Sequence, residues 1–168
     1  MKKIILLFSL IIINSCTTSN NQKIGYEIEE SKKVAISAGK ISSTDVMEEF
    51  FSAYNNRDLE SVYKLEHDDI ILYAPNGMMI EGRDKHRELS QQFLEANSKV
   101  RWDILWSVSQ EIQFESKPSE NWVTTTLDVT TGEGESTIKV QRVVDAQIVE
   151  SRIKKVFVYE RKPHESEY

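Results

Sequence analysis

The spacing of apolar residues changes once along this 168-residue chain, close to Val100. Before that point apolar side chains recur every three or four residues, which is the spacing of a helix that buries one face. After it they alternate with polar side chains, which is the spacing of a strand that buries one face. Helices followed by strands predict an α+β domain in which the helices cover one face of an antiparallel sheet.

Three helices are predicted before the change. The first begins after Ser43 and Thr44, and its apolar face consists of Val46, Met47, Phe50, Phe51 and Tyr54. Asp58 is expected to cap a short second helix, because a carboxylate there accepts hydrogen bonds from free backbone N–H groups. A third helix is predicted over residues 82–97, after a short hairpin that turns at Asn76-Gly77.

Four long strands are predicted after the change. On the first, one face is expected to carry Val100, Trp102, Ile104, Trp106 and Val108. The others are predicted over residues 122–131, 137–144 and 148–159. Their turns are expected at residues 132–134 and 145–147.

The N-terminus has the pattern of an export signal. Lys2 and Lys3 precede a run over residues 4–13 that is apolar except for Ser9. Ten helical residues span roughly 15 Å, about half of a hydrocarbon core, so this run is too short for a mature membrane span.

The run ends in Ile13-Asn14-Ser15-Cys16, which resembles the lipobox of bacterial lipoproteins. The resemblance implies removal of residues 1–15 and a lipid anchor on Cys16. It also implies a domain held in the bacterial cell envelope, outside the cytoplasm, with the membrane as a partner through its lipid. The alternative is a secreted protein with one free thiol.

The net charge of the chain is −6, and loss of Lys2 and Lys3 with the signal would make it two units more negative. Nucleic acid and anionic lipid are therefore not expected as partners, because both bind basic surfaces. Residues 16–42 are predicted to be the lipidated cysteine with a flexible tether, residues 43–162 the folded domain and residues 163–168 a tail.

The local sequence resembles the nuclear transport factor 2-like superfamily, and within it the SnoaL-like polyketide cyclase group. The resemblance rests on residues 46–54 with their exit at 56–59, on 69–77, on 80–84 and on 140–150. It implies a curved sheet around a cone that commonly holds a small apolar ligand, with helices lining the cone. It also implies that homodimers form through the sheet, whereas no cofactor is implied. Members include isomerases, dehydratases and cyclases, so the fold alone does not select an activity.

Strand alternation predicts which candidate residues face the cone and which face away from it. Asp103 and Asp128 are predicted to face away from the cone, where neither could move a proton of a bound ligand. Arg142 shares its face with Val140 and Val144 and is predicted to lie in the cone or at its mouth, although its stem alone could be packing there. The pocket candidates are Tyr54, Tyr73, Trp102, Trp106 and Arg142. The aromatic ones could equally be plain core residues.

The histidines do not suggest a metal site. His67 stands between acids, in Glu66-His67-Asp68-Asp69, but neighbouring side chains point apart and no second histidine lies at ligand spacing. His86 and His164 are expected to be exposed. No metal is predicted.

Three functions remain open from the sequence. The first is a lipid-anchored module whose pocket binds a small apolar or amphipathic molecule. The second is a SnoaL-like or ketosteroid-isomerase-like lyase or isomerase acting on a small carbonyl compound. The third is a partner domain that dimerises through its sheet. An acid or histidine pointing into the cone would favour the enzyme, and alternation places none there.

Overall fold

The computed structural model of the chain describes residues 22–132 and 134–167. The helices are α1, Ser42–Asn55; α2, Leu59–Lys64; and α3, Arg83–Ala96. The strands are β1, Lys23–Glu29; β2, Lys32–Ala38; β3, Glu66–Tyr73; β4, Met79–Glu81; β5, Arg101–Gln113; β6, Glu120–Thr131; β7, Ile138–Val149; and β8, Arg152–Arg161. Cys16 and the predicted signal peptide lie outside the described residues.

The eight strands of the described part form one sheet in the order β1-β2-β5-β6-β7-β8-β3-β4. All neighbours are antiparallel except β3 and β8, which are parallel. The predicted α+β class is confirmed, whereas the sheet is mixed rather than antiparallel throughout. Strands that follow each other through a tight turn must run antiparallel, but a long stretch of chain separates β3 from β8, so their direction is free.

Helix α1 packs against β5 and β6, and this contact forms the centre of the core. Met47 on the helix and Val123 and Leu127 on β6 are fully buried. The cap predicted for α2 is confirmed, since Asp58 accepts a hydrogen bond of 3.0 Å from the backbone N–H of Ser61. No helix in the described ranges is both long and apolar enough to cross a bilayer.

A β-bulge between Ile104 and Trp106 changes the face that β5 turns toward the helices. Before the bulge Trp102 pairs with Val129, a core residue, whereas after it Trp106 pairs with Thr126. One extra residue reverses the alternation, so Trp106 points to the face of the sheet away from the helices. The prediction that residues 100–108 share one face is therefore wrong after residue 104.

Residues 23–38 form a hairpin, although the sequence analysis predicted a flexible tether for residues 16–42. Its second strand joins the sheet where Ala35–Ala38 pair with the last residues of β5. The turn is Glu30-Ser31, with φ angles of 47° and 67°, the left-handed conformation that two-residue hairpin turns require. The charges of this segment made it resemble a tether, but its alternating apolar residues have the period of a strand.

The turn predicted at residues 145–147 is also wrong. Strand β7 continues to Val149, and the chain reverses at Glu150-Ser151, with φ angles of 49° and 60°. Neither residue is a glycine or asparagine, so the sequence carries no strong turn signal there. In the segment predicted as a tail, Glu165–Glu167 form a short 3₁₀ turn, and the Glu167 carboxylate accepts hydrogen bonds from Arg161.

Asn55 joins the end of α1 to the start of β5, and its removal should destabilise the fold. Its amide donates to the Trp102 carbonyl at 2.7 Å and accepts from the Trp102 N–H at 2.9 Å. Asn55→Ala leaves both partly buried backbone groups unpaired, so the free energy of unfolding should fall by about 2–4 kcal/mol. Chemical denaturation measures this loss. The exposed neighbour offers a matched control: Asn56→Ala should cost much less, and equal losses for the two variants would contradict the role of Asn55.

Candidate functional site

A cavity of about 430 Å³ lies between the helices and the sheet. Its wall is mainly apolar and aromatic and includes Phe50 and Tyr54 of α1, Leu89 and Phe93 of α3, Trp102 of β5, and Val144, Val156 and Val158 of the sheet. The loop between β3 and β4 also contributes through Pro75 and Asn76. The volume and composition are typical of a pocket for a small, largely apolar molecule.

A buried histidine and carboxylate lie at this cavity. His86 Nδ1 is 2.6 Å from Oε1 of Glu66, and the exposed fractions of the two residues are 7% and 1%. Glu66 is the first residue of β3, and His86 lies one turn into α3, so the pair joins the two elements. His86 itself lines the cavity.

Tyr54 and Ser90 extend this pair into a polar chain within the mainly apolar wall. The hydroxyl oxygens of Tyr54 and Ser90 are 2.6 Å apart, and the Tyr54 hydroxyl is 3.4 Å from His86 Nε2. A carboxylate that accepts from Nδ1–H leaves the lone pair of a neutral imidazole on Nε2. Glu66 therefore selects the tautomer in which Nε2, on the tyrosine side of the ring, is the base.

The Tyr54 hydroxyl is held in its neutral form. Burial raises the pKa of Tyr54 far above its usual value, and the nearby charge of Glu66 raises it further, while the hydrogen bond to Ser90 acts in the opposite direction. A neutral phenol is a hydrogen-bond donor. The site thus combines a potential base, His86, with a potential donor, Tyr54, in one apolar wall.

An ion pair lies on the sheet side of the cavity. Both Nε and Nη2 of Arg142 contact Oε2 of Glu160, at 2.9 and 2.8 Å, and both residues line the cavity. The two side chains are about a quarter and a third exposed, so they lie at the solvent-accessible side. Because Glu160 offsets the charge of Arg142, this side does not present an unpaired cation.

The structure brings three of the five predicted pocket residues together. Tyr54, Trp102 and Arg142 line the cavity. Tyr73 instead stacks on Phe157, with ring centroids 4.8 Å apart, and is not part of the wall. Trp106 is half exposed on the face away from the helices, because of the bulge that precedes it.

The alternation argument holds for the two acids. Asp103 and Asp128 pair with each other across β5 and β6, and neither lines the cavity. Asp103 accepts from Arg101, and Asp128 forms an ion pair with Lys139.

The expectation that His86 is exposed is wrong, and His86, Glu66 and Ser90 were not predicted as site residues. The sequence carried one signal for the burial of His86 and Ser90. They precede the buried Leu94 by eight and four residues and so share its helix face. Glu66 was considered only as a neighbour of His67, and no signal near it predicts burial. His67, singled out instead, reaches the Val149 carbonyl from Nε2 at 2.8 Å and is not in the cavity wall.

In the described ranges, no three histidine, cysteine or acidic side chains cluster closely enough to hold a metal ion. The side chains at the cavity can supply proton transfer at His86, hydrogen-bond donation from Tyr54 and packing against apolar walls.

Residues 47–151 match the SnoaL-like domain family. The chain belongs to that family. Most of α1, the whole of α3 and strands β3 to β7 fall inside the match, whereas the β1–β2 hairpin lies before it and β8 after it. No curated protein sequence matches the chain.

Solved structures share the fold of this SnoaL-like chain at low sequence identity. A protein from Kribbella flavida DSM 17836 named as a proposed ketosteroid isomerase has 14% identity and a TM-score of 0.60, over 76% of this chain and 84% of its own. A proposed polyketide cyclase from Xanthomonas campestris pv. campestris has 13% identity and a TM-score of 0.51, over 70% and 89%. AclR from Streptomyces galilaeus, named as a proposed hydroxylase, has 15% identity and a TM-score of 0.55, over 73% and 91%. At such identities these similarities establish the fold.

The raised pKa of Tyr54 has a consequence for stability at high pH. In the unfolded chain a tyrosine ionises near pH 10, whereas the folded protein keeps Tyr54 neutral. The stabilisation is fully present below about pH 10 and is lost as the pH rises above that value, because only the unfolded chain then releases the proton. The free energy of unfolding should therefore fall more steeply above about pH 10 than in Tyr54→Phe, by up to about 1.4 kcal/mol per pH unit.

Denaturation of both proteins between about pH 7 and pH 11 measures this difference. Below about pH 9 the gap between the two curves should stay constant, which serves as an internal control. Curves that remain parallel up to about pH 11 would contradict a buried neutral tyrosine.

Proposed function

We propose that this SnoaL-like domain binds a small, largely apolar carbonyl compound and catalyses proton transfer on it, as a lyase or an isomerase. The observation that carries the proposal is the buried Glu66–His86 pair at the cavity wall, with the tyrosine hydroxyl beside Nε2. Two titratable groups are costly to place in an apolar core, and active sites are where such groups concentrate.

The geometry assigns a role to each group. Nε2 of His86 would take a proton from the carbon next to the ligand's carbonyl and return it at another position. Glu66 would stabilise the imidazolium formed in between, at its 2.6 Å contact with Nδ1. The neutral Tyr54 hydroxyl would donate to the carbonyl oxygen as negative charge develops there, while Ser90 holds that hydroxyl in place.

The walls of the cavity restrict the class of ligand. Aromatic and branched aliphatic side chains favour an apolar body, and about 430 Å³ suits a molecule of one to three small rings. The charge of Arg142 is offset by Glu160, which favours a neutral polar end over an anion. The names of the structural neighbours, a proposed ketosteroid isomerase and a proposed polyketide cyclase, support the carbonyl class.

A second candidate is binding without turnover, and one observation favours it. Hydrogen bonds already link the side chains of Tyr54, Ser90, His86 and Glu66. These bonds could serve only to satisfy polar groups that are buried in the core. In that case the pocket would retain a ligand that it does not transform. The two functions share the cavity and differ in whether His86 exchanges protons with the ligand.

Replacement of His86 should separate the two candidates. In D₂O, a panel of small apolar cyclic ketones and enones is incubated with the protein, and deuterium uptake next to the carbonyl is followed by mass spectrometry. His86→Gln should slow uptake by about 10²–10⁴-fold, while ligand affinity changes little, because the base is lost and the wall is kept. His67→Gln, outside the cavity wall, is the matched control and should exchange like the wild type. If the ligand binds but deuterium uptake is equal in the wild type, His86→Gln and His67→Gln, the enzymatic function is contradicted and binding without turnover is supported.

We further propose that the domain is held in the bacterial cell envelope by a lipid on Cys16. The support is the sequence pattern: two lysines, an apolar run and a lipobox-like end. An anchor with two or more acyl chains holds a domain stably at a membrane without any membrane-spanning helix.

Cys16→Ser removes the sulfur that would carry the lipid and should abolish processing at that site. In detergent phase separation the mature wild-type protein should partition into the detergent phase, and the variant should yield no mature protein there. Circular dichroism of both proteins checks that the domain stays folded. Mature Cys16→Ser protein in the detergent phase would exclude Cys16 as the attachment point.

We also propose a homodimer through the sheet face opposite the helices. Trp106, Val108 and Tyr159 are about half exposed on that face, near Thr124 and Thr126. Apolar side chains grouped on a sheet surface support a contact with another chain.

A further inference from the structure

The β1–β2 hairpin carries exposed apolar side chains that neither the core nor the cavity uses. Tyr26 and Ile28 are 55% and 57% exposed, and Ile24 beside them is 53% exposed. The hairpin precedes residues 47–151, which match the family, so the pocket does not explain these side chains. Strand β1 is also the edge of the sheet, with no strand on its outer side among the described residues.

The charges of the hairpin are separated between its faces. Tyr26 pairs with Ala35 and Ile28 with Lys33, so these four side chains share one face. Lys33 Nζ lies 4.0 Å from the centre of the Tyr26 ring. Glu27 and Glu29 alternate with the apolar residues and point to the other face, where Glu29 forms an ion pair with Lys117. The apolar face therefore carries a lysine and no acid.

An aromatic ring, a branched aliphatic side chain and a lysine form a combination suited to the interface of a bilayer. Tyrosine places its ring at the level of the headgroups, and lysine extends its ammonium group toward the phosphates while its stem lies among apolar groups. The acids on the opposite face would remain in water. This surface needs no excess of anionic lipid, which agrees with the acidic balance of the chain.

The position of the hairpin in the chain indicates that a membrane covers its apolar face. Six residues, 17–22, separate Cys16 from the first residue of β1. Even fully extended, this stretch reaches about 25 Å, so a lipid on Cys16 would keep the hairpin close to the membrane surface. A connection of this length does not by itself set the orientation of the domain, whereas contact of the hairpin with the bilayer would.

We propose that the β1–β2 hairpin lies on the lipid bilayer through Tyr26 and Ile28 and thereby sets the orientation of the domain. The inference rests on the lipid anchor proposed above. The hairpin joins β5 at residues 110–113, whereas Trp102, at the other end of β5, lines the cavity. Eight strand residues correspond to roughly 26 Å, so the cavity lies about that far along the sheet from the docked hairpin.

Collision accessibility of spin labels tests the orientation. The lipidated full-length chain is placed in phosphatidylcholine vesicles with a nitroxide at Ile28→Cys, at Glu27→Cys or at Met79→Cys. Met79 is exposed, between Met78 and Ile80, which line the cavity. Because the lipid occupies the sulfur of Cys16, each variant carries one label. Frequent collisions of the nitroxide with dissolved oxygen indicate that it lies in the bilayer. Frequent collisions with a water-soluble nickel complex indicate that it lies in the aqueous phase.

The ratio of oxygen to nickel collisions at Ile28→Cys should rise several-fold on transfer from detergent to vesicles. It should stay unchanged at Glu27→Cys, on the same strand but the opposite face, and at Met79→Cys. Equal ratios at positions 27 and 28 in vesicles would overturn the docking. Spin–spin broadening at Ile28→Cys in detergent would assign the surface to a second copy of the chain and overturn it as well.

Failure of the anchor has a separate signature. Unlabelled protein that washes off the vesicles, with a Cys16 peptide of unmodified mass, overturns the anchor and the docking together. Protein that remains on the vesicles with a lipidated Cys16, but with water-accessible labels at both hairpin positions, overturns only the docking.

Discussion

The fold depends on burial of one face of β6, the strand at the middle of the long antiparallel part of the sheet. Val123, Leu127 and Val129 are almost fully buried beneath α1, and removal of their apolar surface from water stabilises the domain. A slip of one residue in its pairing would expose all three side chains, so the register of β6 is strongly specified. The neighbours β5 and β7 take their register from it.

That register also separates the two chemical faces of the sheet. Arg142 pairs with Leu127 and so points to the helix side, while Asp128 points away from it. The cavity is what remains where α1, α3 and the sheet diverge, and its wall is apolar because it continues the core. A polar chain extends from Glu66 behind that wall to Tyr54 within it, through residues held by α1, α3 and β3. The pocket is thus continuous with the core. The proposed chemistry uses its buried titratable side chains, which are the most costly groups to place in a core.

The β1–β2 hairpin, which precedes the family-matched region, buries side chains of one strand and leaves those of the other exposed. Strand β2 is covered well enough to bury Val34 and Ser37, whereas β1 at the edge leaves its apolar side chains exposed. Edge strands are commonly protected by charges or by a covering element. Here Glu27 and Glu29 lie on one face, and the other face, with Tyr26, Ile28 and Lys33, is the surface for the membrane contact that we propose.

The sequence by itself determined the class of fold, the amphipathic face of α1, the cap at Asp58 and the inward position of Arg142. These depend on periodicity or on contacts within four residues, and such information is local. The bulge at β5, the turn at Glu150-Ser151 and the hairpin at residues 23–38 were decided by strand pairing, which joins residues far apart in the chain. A single extra residue in β5 was enough to move Trp106 to the opposite face.

The Glu66–His86 contact belongs wholly to the tertiary structure. Twenty residues separate the two side chains, one begins a strand, and the other lies in a helix whose composition is mostly polar. Each residue alone resembles a surface residue, since glutamate and histidine are seldom buried without a partner. Only the packing of α3 against β3 makes each the partner of the other, and this mutual pairing permits both to be buried at the cavity.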